Sequence, residues 1–331
     1  EVLVPYLALE LGRPVQWIED RREHFISTAH ARDQIHFVEL AFDNDGRILA
    51  LRDRFLLDNG AYNPMGLTDA YNTSAHLQGP YRIPNLTITG TCVATNKVPN
   101  APYRGAGRPE AVFVMERCID RIAGELKIDP AEVRFRNLIQ PEEIPYDAGV
   151  LYRDGEPVRY DNGDFPTTLV KAMDACRYYE VRTQQKQALL NGRHIGIGIG
   201  FYTEGTGVGS FEGARIQVDS SGKLLVSVGA SAHGQGHETV FAQIAADQTG
   251  ARVEDVIVVE GDTGAFEWGV ATFASRAAVC SGNAIHKAAG KAREQSLEAA
   301  ANMLECAEED LELRDGAGFQ KLPGAALVMS R

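Results

Sequence analysis

The sequence predicts an α+β protein built from two mixed α/β domains, and three observations carry that reading. Strand pairs with two-residue periodicity bracket short polar turns at 35–57 and at 214–228. Helical stripes recur at 109–127, 238–249 and 275–302. Between the halves, residues 146–165 are rich in Pro, Gly and Asp, the composition of a linker crossing from domain 1–145 to domain 166–331. A length of 331 residues accommodates about two domains of ordinary size.

The elements follow in order. Leu3, Val4, Tyr6, Leu7 and Leu11 form an apolar helical pattern, and a short strand is expected from Val15 to Ile18. Ile35 to Phe42 and Ile48 to Leu57 are strands. Asn44, Asp45 and Gly46 between them supply positive φ cheaply, so the pair should close as an antiparallel hairpin. Val112, Met115, Ile119, Ile122 and Leu126 share one helical face, and Asp129-Pro130 should stop that helix. The second half should open with a glycine-rich strand from Ile195 to Phe201. A hairpin follows, with arms Ala214 to Val218 and Leu224 to Val228, then helices near Glu238 to Thr249 and Ser275 to Asn302 around a strand at Val256 to Val259.

The bulk numbers exclude several classes. Thirty-three Lys and Arg against 45 Asp and Glu give a net charge of −12 with no dense basic block, so nucleic acid is not expected as a partner. No apolar run approaches the roughly 18 residues that span a bilayer, so no membrane span is expected. Five scattered cysteines without a CxxC pair argue against a disulfide scaffold, a zinc ribbon or a resident iron–sulfur cluster, and fit a cytoplasmic protein. The chain opens at Glu1 directly into a helical pattern, as an excerpt of a longer polypeptide would.

Chemistry concentrates in three stretches, each placing glycines and small polar groups before a helix. They are PYRGAGRPE (102–110), HGQGHET (233–239) and TFASRAAVCSGNA (272–284). A helix start exposes unpaired N–H groups and the positive end of the helix dipole, so each is a candidate anion seat. Three of them suggest one large polyanionic cofactor gripped from several sides. Neither GxGxxG nor GxxxxGK[ST] occurs. His233 and His237 bracket Gln235, but two histidines without nearby further ligands do not make a zinc site, and no protein-held metal is expected.

These stretches, taken with EGARIQVD (212–219), GQGHETVFAQIAAD (234–247), GDT (261–263) and LGRPVQWIEDRREHF (11–25), resemble the molybdopterin-binding large subunit of the xanthine dehydrogenase/aldehyde oxidase family. The resemblance runs in order across nearly the whole chain. It implies two mixed α/β domains of the molybdenum-cofactor-binding type, incomplete at both ends. It also implies a molybdenum-pterin cofactor, carried as molybdopterin cytosine dinucleotide, with [2Fe–2S] and FAD on partner subunits. By the resemblance Arg104 and Gln235 are catalytic, acting electrostatically beside the metal. Gly105, Ala106, Gly234, Gly236, Thr272, Ala274, Ser275 and Arg276 would bind the cofactor, with Ser275 capping its helix and Arg276 meeting a phosphate oxygen.

Departures narrow the chemistry. The xanthine-oxidising members place a stacking phenylalanine where this chain has Ala106. By approximate alignment a purine-orienting arginine becomes Asn72 and a second stacking aromatic becomes Glu204, so the resemblance implies a substrate other than xanthine. The carbon monoxide dehydrogenases carry a copper-binding cysteine where this chain has Gly105. The family's GGGFG segment and GxGE glutamate, its general base, are expected on the remainder of the molybdenum subunit. The implied partners are that remainder, an iron–sulfur subunit, an FAD subunit and a small-molecule substrate, an aldehyde or an N-heterocycle hydroxylated with water-derived oxygen. The competing reading is a folded but catalytically silent, cofactor-free interaction fragment.

Overall fold

A computed structural model describes residues 2–63, 65–152 and 154–315, and the backbone alone for 317–322 and 325–328. The chain divides into two compact units, Glu1–Thr203 and Glu204–Arg331.

The first unit opens with helices α1 (Leu3–Leu11) and α2 (Arg21–Ser27), neither of which has a buried residue. Asp20 and Glu23 form a reciprocal capping box at the start of α2. No strand forms over Val15 to Ile18. Trp17 and Ile18 are exposed, so nothing in this unit rewards extended pairing there.

Strands β1 (Gln34–Phe42) and β2 (Ile48–Gly60) make the expected antiparallel hairpin, with Gln34 opposite Leu57. Its turn is built as the sequence requires: Gly46 has φ +80°, and the Asp43 carboxylate accepts from the amides of Asp45 and Arg47. Helix α3 (Thr68–His76) then crosses to β3 (Leu86–Ala94), which pairs parallel with β2.

Helix α4 (Arg108–Leu126) buries Ala111, Val114, Met115, Ile119, Ile122 and Ala123 in a core shared with Leu51 of the sheet. Asp129-Pro130 does more than end α4. The Asp129 carboxylate accepts from the amide of Ala131 and caps a new helix, α5 (Pro130–Asn137). Asn137 of α5 donates to Gly46 O and accepts from the amide of Ile48, tying the hairpin turn to the helices.

The stretch expected as a linker lies inside this unit. Strands β4 (Tyr146–Leu151) and β5 (Pro157–Tyr160) pair antiparallel, and the Tyr160 hydroxyl donates to Gly79 O. Helices α6 (Phe165–Ala175) and α7 (Tyr178–Leu190) follow, and Leu169, Met173 and Tyr178 belong to the first core. Residues 195–201 show the two-residue alternation of a strand but join no ladder. Ile197, Ile199 and Phe201 pack on the first core, and Ile199 O accepts from Arg134, a fully buried guanidinium also paired with Glu116 and Asp120. Burial satisfies the alternation without a sheet partner.

In the second unit, β6 (Ala214–Val218) and β7 (Leu224–Val228) form the expected antiparallel hairpin. Helix α8 (His237–Thr249) leads to β8 (Val256–Glu260), which pairs parallel with β7. Helix α9 (Gly282–Leu304) lies beside α8 and β6. Leu224, Val226 and Val228 of the central strand meet Phe241, Ala245 and Ile285 in a second core. Strands β9 (Leu311–Arg314), β10 (Ala317–Leu322) and β11 (Ala325–Val328) complete the unit as an antiparallel meander.

Each unit repeats one plan, an antiparallel hairpin, a helical crossover and a third strand added in parallel. In each, glycine-rich turns immediately precede a helix that packs on that plan.

Candidate functional site

In the first unit the RGAG turn runs through three consecutive residues with positive φ: Gly105 at +104°, Ala106 at +47° and Gly107 at +87°. Gly107 has no substitute there, because a Cβ would come within 2.4 Å of Asp69 O and 2.8 Å of the Thr73 amide. Arg32 clamps the turn from outside. Its guanidinium donates to Arg104 O, lies 5.4 Å from the Tyr103 ring centroid and approaches Glu110 at 3.9 Å. The Arg104 side chain is exposed and makes no ion pair among the described residues.

Local chemistry narrows the expected anion seat at the start of α4. The Arg108 amide donates to Gly105 O and Pro109 has no N–H. This loop also offers the Arg104 cation. Burial holds the Asp69 and Glu110 carboxyls above the usual carboxylate range. Asn72 is buried, with the Tyr152 hydroxyl donating to its Oδ1 at 2.5 Å.

His76, on α3, accepts from Arg108 Nε at its Nε2 (3.1 Å), and its Nδ1–H donates to Asn72 O (2.8 Å). That pattern needs a neutral ring. Burial, reinforced by the Arg108 charge, lowers the His76 pKa from 6.5 to about 4. An unfolded chain protonates His76 below pH 6.5, whereas the folded chain resists until about pH 4. Stability from this group is therefore complete above pH 6.5 and falls between pH 6.5 and 4, by about 3 kcal/mol in total. Urea unfolding of wild type and His76→Asn across this range should show the substituted protein losing less stability on acidification.

In the second unit, HGQGHET folds into an open turn. Gly234 and Gly236 have φ of +101° and +75°, and a Cβ at either would meet no atom within 4 Å. Gly236 precedes α8, whose first turn has no side-chain cap, so its leading amides are available to a ligand. Gln235 is exposed, and its Oε1 accepts from the His233 amide, which leaves its NH₂ as a donor. His237 is held at Nδ1 by Glu260 (2.9 Å) and leans on Phe241, and no group of three or more potential metal ligands exists among the described residues.

The third stretch departs from expectation at two residues. Ser275 does not cap the following helix. It sits at φ +53°, its hydroxyl donates to Glu204, and Arg276 occupies the capping position of a π-helical turn, Ala277–Ser281, that leads into α9. Arg276 faces the interior, with its guanidinium fully buried. It donates to Val208 O, Ala271 O, Ser210 O and the buried carboxylate of Glu212. Arg276 therefore shapes this loop from within. Thr272 Oγ1 and Ser281 Oγ are buried with no hydrogen-bond partner among the described residues, and Ala271, Ala274 and Ser275 all hold positive φ.

Comparison with known proteins accounts for this arrangement. Residues 1–138 and 171–330 each match a family model described as a molybdopterin cofactor-binding domain. The chain belongs to the molybdopterin cofactor-binding family. It is 37% identical to the 6-hydroxypseudooxynicotine dehydrogenase complex subunit gamma of Paenarthrobacter nicotinovorans, over 96% of this chain and 40% of that protein. It is 36% identical to the carbon monoxide dehydrogenase large chain of Afipia carboxidovorans, over 92% of this chain and 40% of that one. The structure of quinoline 2-oxidoreductase from Pseudomonas putida 86 superposes with a TM-score of 0.82 at 36% identity, covering 96% of this chain and 42% of that chain. The chain thus spans about 40% of the length of the curated relatives it matches.

The residues present fit such a cofactor. An open glycine pair, an uncapped helix start and two orphaned buried hydroxyls supply donors of the kind that a phosphorylated pterin accepts from. Sequence reasoning missed the role of Glu212 as the internal partner of Arg276, and it missed Thr73, Gln34 and His36 behind the RGAG turn. Glu212 opens the EGARIQVD stretch, but no local motif marks Thr73, Gln34 or His36.

Proposed function

We propose that the protein carrying this chain is the molybdenum-cofactor-binding subunit of a hydroxylase-type oxidoreductase, which oxidises an aldehyde or N-heterocyclic carbon with oxygen derived from water. The observation that carries this reading is the open Gly234–Gly236 turn running into uncapped α8, with the exposed Gln235 amide as a donor. The names of the relatives favour the N-heterocycle arm, since one acts on quinoline. Among the described residues no helix is long and apolar enough to cross a membrane.

When bound, the molybdenum-pterin supplies the two-electron acceptor. Arg104 contributes an exposed cation on a turn fixed by Arg32, suited to stabilising negative charge that develops on the reacting oxygen. The NH₂ of exposed Gln235 is a neutral donor on the second unit. Gly105, Ala106, Gly234 and Gly236 permit close backbone approach, and Thr272, Ala274 and Ser275 line the third loop. Arg276 supports that loop from inside. The cytosine dinucleotide form, [2Fe–2S] and FAD on partner subunits and a cytoplasmic location complete the proposal.

Metal and nucleotide analysis of the purified protein tests it. The expected result is stoichiometric molybdenum with pterin and cytidine monophosphate, together with oxidation of quinoline-type heterocycles or aldehydes when an artificial electron acceptor is present. Protein that carries no molybdenum after expression with the cofactor pathway active would support the silent interaction fragment instead.

A further inference from the structure

We propose that Thr73 is the positioning residue of the RGAG turn, held in place by a hydrogen-bonded line that begins at buried Asp53 and runs through His36 and Gln34. The proposal deepens the reading above, in which Arg104 on that turn acts at the cofactor.

The line follows from the register of the first sheet. Gln34 and His36 are two residues apart on β1 and so share its inward face. His36 lies opposite Phe55 and Val38 lies opposite Asp53, which makes His36 and Asp53 diagonal neighbours on that face. The Asp53 side chain is fully buried, and its Oδ2 lies 2.8 Å from His36 Nδ1. The imidazole stacks on Phe55 at 5.1 Å between centroids. Gly90 makes room for that ring, since a Cβ there would come within 2.5 Å of Phe55. From His36, Nε2 meets Gln34 Oε1 at 3.1 Å, Gln34 Nε2 donates to Thr73 Oγ1 at 3.0 Å, and Thr73 Oγ1 donates to Gly107 O at 3.2 Å.

Each link removes a rotation that the next group would otherwise have. A carboxylate fixes the ring, the ring fixes the carboxamide, and the carboxamide donates to the Thr73 hydroxyl, whose single proton is shared between Gly107 O at 3.2 Å and Gln34 Oε1 at 3.3 Å. Gly107 O also accepts the first helical bond of α4, from the Ala111 amide at 3.1 Å. One carbonyl thus joins the turn, α3 and α4. Three successive positive-φ residues, one of them Ala106, are costly to hold by local preference alone, so an external support of this kind is what the turn needs.

The test compares Thr73→Val, Thr73→Ser, Gln34→Leu and the Gln34→Leu/Thr73→Val pair in the full-length protein that carries this chain. Three amides bonded within or beside the turn, those of Ala106, Arg108 and Ala111, report by hydrogen exchange, and tryptic cleavage after Arg104 reports independently. Thr73→Val and Gln34→Leu should each speed exchange roughly fivefold, the change expected from losing one ordinary hydrogen bond. Thr73→Ser should restore the wild-type rate, and the pair should add little to either single change. Wild-type exchange in Thr73→Val, no rescue by serine, or full additivity would each overturn the proposal. Gln34 and Thr73 are uncharged, so these changes leave no buried ion behind, and an unchanged melting temperature separates loop loosening from general unfolding. Molybdenum content of the wild-type protein is read in parallel. If it is absent, the cofactor reading fails while the exchange result still decides the role of Thr73.

Discussion

Replacing Arg276 with methionine is expected to destabilise the second unit by about 3–5 kcal/mol, the range typical when one member of a buried ion pair is removed. Both side chains of the Arg276–Glu212 pair are fully buried, and the guanidinium also satisfies the carbonyls of Val208, Ala271 and Ser210. Methionine would leave the Glu212 charge without a counter-ion, and three carbonyls would lose their donor. Adding Glu212→Gln should recover part of the loss, because an uncharged amide is cheaper to bury than an unpaired carboxylate. Urea unfolding of the two variants and wild type measures both steps. Equal stability of wild type and Arg276→Met would show that the arginine is free to serve a ligand, as the sequence resemblance alone had implied.

Gly107→Ala should strip the first unit of its cofactor-facing loop without dissolving its core. The added methyl would stand 2.4 Å from Asp69 O and 2.8 Å from the Thr73 amide nitrogen, and alanine pays for φ +87° as well. Neither obstacle is the flexible end of a side chain, so the turn itself must move and carry Arg104 with it. A displaced support typically lowers metal retention or activity roughly 10–100-fold. Molybdenum analysis should show that fall, while circular dichroism of α4 and α5 stays close to wild type. Full molybdenum content in this variant would mean that the RGAG turn is not needed for loading.

The parts of the fold legible in the sequence are those dictated locally. Asn44-Asp45-Gly46 demanded a tight turn, and the β1–β2 hairpin closes on it. Met115, Ile119 and Ile122 of the predicted α4 stripe are buried, while Val112 and Leu126 at its edges are half-buried. HGQGHET placed glycines before a helix, and α8 begins directly after Gly236. Other parts depended on partners far along the chain. Residues 195–201 alternate like a strand, yet their apolar side chains lie half-buried against a core whose members run from Ile48 to Tyr178, and no ladder forms. α7 buries only Tyr178, so no periodic stripe signals it. The family resemblance implied a phosphate for Arg276, and only the fold brings Glu212 to it. The line from Asp53 to Gly107 is invisible for the same reason, since it joins five positions through the register of one sheet and the packing of one helix.

The placement of residues 165–203 governs how this protein can be divided. A gene cut near codon 165 would yield an amino-terminal product stripped of Leu169, Met173, Tyr178 and the Ile199 carbonyl that receives Arg134. Such a product would carry an unsealed hydrophobic surface and an under-satisfied interior guanidinium, and should accumulate in inclusion bodies. Ending the same product after Thr203 keeps those groups together and should yield a monodisperse species.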